Sequence, residues 1–172
     1  FVAVDVRARP QDSAWDVVLT GPWVEGQLIV PFDFTGADRL RLDMQRLLLI
    51  EPLEGEDEEI SVPDPRTLPA IHGHVEEFAL GKLRLGKLDL DVRRTDDGLI
   101  TDVLHAETES FTIDASADWI VVENAQRTRL HLELQSNDVE RTLFELGYSP
   151  LISAKRATVG AQLLWGGPPG IG

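Results

Sequence analysis

The chain has 172 residues, 30 acidic against 16 basic side chains, and a formal net charge of −14. That balance argues against a nucleic-acid partner, whose phosphates want a basic surface, and more weakly against docking on anionic headgroups. With no cysteine, disulfides, thiolate metal sites and a cysteine nucleophile are excluded.

Phe1 to Arg9 alternates apolar and polar residues like a strand. Ala14 to Thr20 is short and β-branched. In Gln27 to Phe34, QLIVPFDF, Leu28, Val30, Phe32 and Phe34 share one face. Pro31 lacks an N–H, which predicts an edge or bulged strand. Arg39 to Met44 places Leu40, Leu42 and Met44 on one face and charged residues on the other. Residues 1–50 are expected to form one β-groove segment.

Residues 51–69, EPLEGEDEEISVPDPRTLP, hold four prolines and an acidic cluster. No regular element is expected there, only a loop or linker. Glu54, Glu56, Asp57, Glu58 and Glu59 lack the fixed spacing of a calcium loop, so a solvated acidic loop is the expectation.

Alternation resumes at Ile71 and runs through 70–169, the second β segment. Leu83 and Leu85 have one parity; Leu88, Leu90 and Val92 have the other. A bulge at Gly86-Lys87 would reset the phase. Thr95-Asp96-Asp97-Gly98 signals a hairpin. Leu99 to Thr108, Phe111 to Trp119 and Thr128 to Ser136 continue the antiparallel run. Leu130, Leu132 and Leu134 oppose Arg129, His131 and Glu133.

SNDVERTLFELGY then breaks the pattern. Asn137 suits an N-cap, with Glu140 completing a capping-box arrangement. Val139, Leu143 and Leu146 make an apolar stripe, and Gly147 suits a left-handed stop. A helix over 138–146 this short must lie on the sheet. Ala157 to Trp165 returns to strand.

The predicted fold is mainly β: a long curved antiparallel sheet with one short capping helix near the C-terminus. Its leucine face needs a lid. Either a second sheet closes a sandwich, or the sheet curls on itself and leaves an open groove. The chain opens inside a strand pattern and ends at GGPPGIG, so a piece of a longer protein is expected.

No GxSxG, HExxH, P-loop or GxGxxG occurs. His72 and His74 project to one side of a strand but have no evident third ligand, so no metal site is expected. Asp89 and Asp91 fall on a solvated face, not in a buried acid/base site. Trp15, Trp23, Trp119 and Trp165 suit packing or rim positions better than a sugar platform. No catalytic residue and no cofactor is expected, and an enzyme using scattered carboxylates has only their abundance behind it.

The second half, from Leu68 to Pro169, resembles the YhdP family of AsmA-like, TamB-related envelope proteins. The pieces come in order: LGKLDL, DDGL, FTIDASADW, then TRLHLELQSNDVERTLFELGYSPLISAKRATVGAQLLWGGPP. The end is the most specific part, where SNDV leads into a helix, LGY closes it, and LLWGGP follows one strand later. Asp118 and Lys155-Arg156 stand where the family usually has glycines, which are turn-level departures.

The resemblance implies a taco-shaped β-groove (β-taco) that carries phospholipid across the periplasm between the inner and outer membranes of a Gram-negative bacterium. An inner-membrane anchor and outer-membrane partners would lie outside this chain. The groove would be lined by Leu28, Val30, Phe32, Leu40, Leu42, Leu83, Leu85, Leu88, Leu90, Leu130, Leu132 and Leu134, placed there by parity. Val139, Leu143 and Leu146 would cap it. The alternative is a closed, sandwich-like scaffold or binding module of the cell envelope with no lipid conduit.

Overall fold

A computed structural model describes residues 3–34, 38–50, 63–150 and 152–169. The acidic stretch 51–62, with the calcium-loop candidates Glu54, Glu56, Asp57, Glu58 and Glu59, lies outside the described residues.

Ten strands follow the alternating segments: β1 Asp5–Pro10, β2 Ala14–Thr20, β3 Val24–Pro31, β4 Leu40–Leu49, β5 Ile71–Leu80, β6 Leu83–Thr95, β7 Gly98–Glu107, β8 Phe111–Val122, β9 Ala125–Ser136 and β10 Ala157–Gly166. One helix, α1 Val139–Glu145, lies between β9 and β10. The strands form a single sheet in chain order, with β1 and β10 at its two edges. The sheet is therefore open, and among the described residues no second sheet covers it.

Local chemistry explains the turns. Asp96-Asp97 closes the β6–β7 hairpin where the DDG signal predicts. Glu123 and Asn124 both take positive φ, 50° and 64°, which gives β8–β9 a tight two-residue turn. Gly86 takes φ 68° beside the register shifts of β5 and β6. This is the expected bulge, and it returns Leu88, Leu90 and Val92 to the face that Leu85 shares.

Four expectations are corrected. The sheet is not antiparallel throughout, because β4 and β5 run parallel from Leu40↔Ile71 to Leu49↔Leu80. A parallel pair needs a crossover connection, of which residues 63–70 are described. Its described part holds a 3-10 turn over Pro65–Thr67, where no regular element was expected, capped by the Asp64 carboxylate on the Arg66 amide. Pro31 does not mark an edge, although β3 is irregular in its pairing with β4, between Glu25 and Gly26, as the bulged alternative expects. It is the last residue of an interior strand, two positions beyond the final β3–β4 pair, Ile29↔Arg41, so its missing donor breaks no ladder bond to β4. The N-cap of α1 is Asp138 rather than Asn137. Asp138 accepts the Arg141 amide at 3.1 Å, while Asn137 donates to the Glu109 carbonyl.

The sheet is curled. Arg94 on β6 donates to the Phe34 carbonyl beyond β3 at 2.8 Å. In a flat sheet three strand spacings would separate them, about 14 Å. The same curl explains how Met44 and Val75, on one face of a single sheet, are only 1% and 3% exposed.

Candidate functional site

The strand register places side chains on the curled face in rows that cross the sheet. One row runs Val6, Leu19, Gly26, Met44, Val75, Leu88, Ala106, Ile113, Leu134, Val159. Its neighbour runs Ala8, Val17, Leu28, Leu42, Gly73, Leu90, Leu104, Ala115, Leu132, Ala161. Both cross all ten strands without a polar side chain. Ordinary strand spacing makes each row about 43 Å long.

Most of the predicted lining residues meet here. Leu28, Leu42, Leu85, Leu132 and Leu134 pack, half-buried, against the buried cluster of Met44, Val75, Leu88, Ala106, Phe111 and Ile113. Leu88 is part of that cluster, and Leu90 packs against a second one of Val92, Leu99 and Trp119. Leu40 and Leu130 extend the same face by register, opposite Ile71 and Ala117. Leu83 has the parity of Leu85 at the start of β6. Val30 pairs with Trp15, and Phe32 meets the Trp15 ring edge-on at 5.7 Å. These two sit towards the rim, where Phe32 is 53% exposed. Among the residues that pattern reading left out of the lining are Val17, Val75, Ala106 and Leu104. Val17, Val75 and Ala106 are not leucines, and Leu104 stands alone between Asp102 and Ala106, so none belongs to a leucine stripe, though their alternation was visible.

Both ends of the apolar face are occupied. At one end lies α1. Leu146 packs on the larger cluster, while Val139 and Leu143 are half-buried. The tightest attachment is polar. Thr142, fully enclosed, donates to the Ser110 carbonyl at 3.1 Å and lies 2.8 Å from Ser136 Oγ. Glu145 accepts from Ser110 Oγ at 2.6 Å, Thr108 Oγ1 at 2.9 Å and Arg141 Nε at 2.9 Å. Burial pushes the Glu145 carboxyl up, but the bonds from Ser110, Thr108 and Arg141 outweigh it and hold the group below the usual glutamate range. The apolar stripe of α1 did not reveal this network. The signal was Thr142 itself, three residues after Val139 and so on its face.

At the other end the crossover lies on the sheet. Pro65 is enclosed, Leu68 packs on Val92, Leu99 and Trp119, and Gln126 donates to the Pro63 carbonyl at 3.0 Å. Trp119 donates its indole N–H to Gln126 at 3.0 Å. Trp119 and half-buried Trp165 are packing residues, while Trp15 and Trp23 are 42% and 45% exposed at the rim.

The opposite face is polar. One register row there reads Gln27, Asp43, His74, Asp89, His105, Asp114, Glu133. His74 meets Asp89 at 2.7 Å and Glu76 at 3.2 Å, and both bonds raise its pKa, Asp89 the more. His72 and Arg39 share Asp91, and His105 meets Asp114 at 2.7 Å. His131 is exposed. Thus His72 and His74 form cross-strand pairs with Asp91 and Asp89 on the outer face. Among the described residues no group of three His, Asp or Glu is arranged to hold a metal ion. No described helix is long and apolar enough to cross a membrane.

The arrangement offers an apolar track on one face and a hydrated surface on the other. A family model described as YhdP protein matches residues 1–170. No curated protein matches the chain. No solved structure matches it.

Proposed function

The chain belongs to the YhdP family of AsmA-like bacterial envelope proteins, and from that premise we propose that it is a segment of an intermembrane lipid bridge. Its curled face shields phospholipid acyl chains in the periplasm, between an inner membrane that anchors the full-length protein and the outer membrane. The observation that carries this reading is the pair of unbroken apolar rows crossing all ten strands of an open sheet.

The energetics favour it. Each methylene taken from water contributes about 0.8 kcal/mol, so an acyl chain of about fifteen methylenes gains on the order of 12 kcal/mol along such a track. The open seam leaves the headgroup in water, and the Asp, His and Arg side chains of the outer face keep the sheet hydrated. No step needs a nucleophile, a base or a cofactor.

The test is native mass spectrometry of the purified chain, with organic extraction of the same sample. Co-purifying phospholipid that is lost in Leu132→Asp, with the circular dichroism of a folded β protein retained, supports the bridge. An apo mass with no uptake of fluorescent phospholipid would overturn it and move the scaffold reading ahead.

A further inference from the structure

We propose that the α1 end of the groove holds a binding site for a net-anionic phosphate headgroup; this rests on the lipid-bridge reading above. A cavity of about 750 Å³ opens there, between the ends of β4 and β5, the Gly81-Lys82 turn and α1. Leu48, Leu49 and Trp23 supply apolar wall. Phe78 lines the cavity and also packs against the buried cluster of the groove, so this one side chain borders both.

The charges decide what fits. Three carboxylates line the cavity, and each is already engaged. Glu77 pairs with Arg46 at 2.7 Å. Glu109 and Glu145 pair with Arg141 at 2.7 and 2.9 Å. Lys82 and Arg84 also line the cavity, and among the described residues neither has an ion-pair or hydrogen-bond partner. Among the described residues, Lys82 and Arg84 thus stand beside an apolar wall without a carboxylate of their own. A phosphate held by a guanidinium and an ammonium gains charge-assisted hydrogen bonds, with its acyl chains running past Phe78 into the groove. A headgroup whose own cation cancels its phosphate gains less.

Lys82 is also held in place. Gly147, just past α1, has φ 82°, and a Cβ there would come within 3.0 Å of Lys82 Cβ. Glycine therefore lets the helix end close onto the turn that carries the lysine.

The experiment offers the purified chain tail-labelled phosphatidylglycerol or phosphatidylcholine with matched acyl chains, in vesicles at low salt. Phosphatidylglycerol should load with a preference of about tenfold, the size of one charge-assisted contact. In the double variant Lys82→Gln, Arg84→Gln the two lipids should load equally. Raising the salt on the unmodified chain should erode the preference without any mutation. Equal loading by the unmodified chain, or a preference that survives the double variant or high salt, overturns the headgroup site and leaves the groove reading intact. Displacement of loaded phosphatidylglycerol by millimolar inorganic phosphate also overturns it, in favour of a free-phosphate site. Failure of both lipids to load removes the groove reading and this site with it.

Discussion

Glu145 closes α1 by accepting the Ser110 hydroxyl at 2.6 Å, so the last turn of the helix is fastened to the β7–β8 turn by a carboxylate. Thr108 and Arg141 donate to the same side chain. The only helix among the described residues is therefore held onto a greasy sheet largely through polar contacts, which fix its position more sharply than apolar contact alone.

That fastening depends on pH. The folded Glu145 carboxyl lies below its ordinary range, since the hydrogen bonds outweigh burial. Its stabilisation is complete above the unfolded glutamate value of about 4.3 and is lost as pH falls through the lower folded value. NMR signals of the Leu146 methyls should shift progressively as pH is lowered below about 4.3. In Glu145→Gln that shift should vanish; an identical profile in the variant would reject the assignment.

His74 has the opposite sign. Asp89 first and Glu76 second raise its pKa. Its contribution is complete below the unfolded value of about 6.5 and falls away as pH rises through the folded value. A ring-proton titration should place His74 above a free histidine. The variant Asp89→Asn should lower it more than Glu76→Gln does, and the reverse order would contradict the geometry.

Gly86 is a further point of strain. At φ 68° an added Cβ would clash with the Glu107 carbonyl oxygen. Gly86→Ala should cost about 2–4 kcal/mol, combining a left-handed backbone penalty with a steric clash. Urea denaturation measures it, and a loss under about 0.5 kcal/mol would mean that the bulge relaxes freely.

The apolar face should divide into core and lining. Phe111 is 2% exposed, and Phe111→Ala should cost about 3–5 kcal/mol. Leu163 is 51% exposed on edge strand β10, and Leu163→Ala should cost under about 0.5 kcal/mol. Similar losses at both positions, by thermal or urea denaturation, would mean that the curled face is one closed core in solution.

The amino-acid sequence by itself determined the local features. Alternation is a two-residue property, so the strands, the leucine face and the polar face were legible from LGKLDL and TRLHLELQS. The bulge at Gly86, the β6–β7 turn and the stop at Gly147 were legible because glycine and aspartate act on their own backbone. Family membership was legible in the second half, where SNDV, LGY and LLWGGP keep their order, and the family match extends it to residues 1–170. The tertiary structure alone decided the rest. Only long-range pairing makes β4 and β5 parallel, and only that connection lays Leu68 on the cluster of Val92, Leu99 and Trp119. The attachment of Thr142 to Ser110 and Ser136, and the nearness of Lys82 to Gly147, join residues about 30 to 65 positions apart or across a strand end. No periodicity encodes such contacts, because they arise when a curled sheet brings its strand ends together.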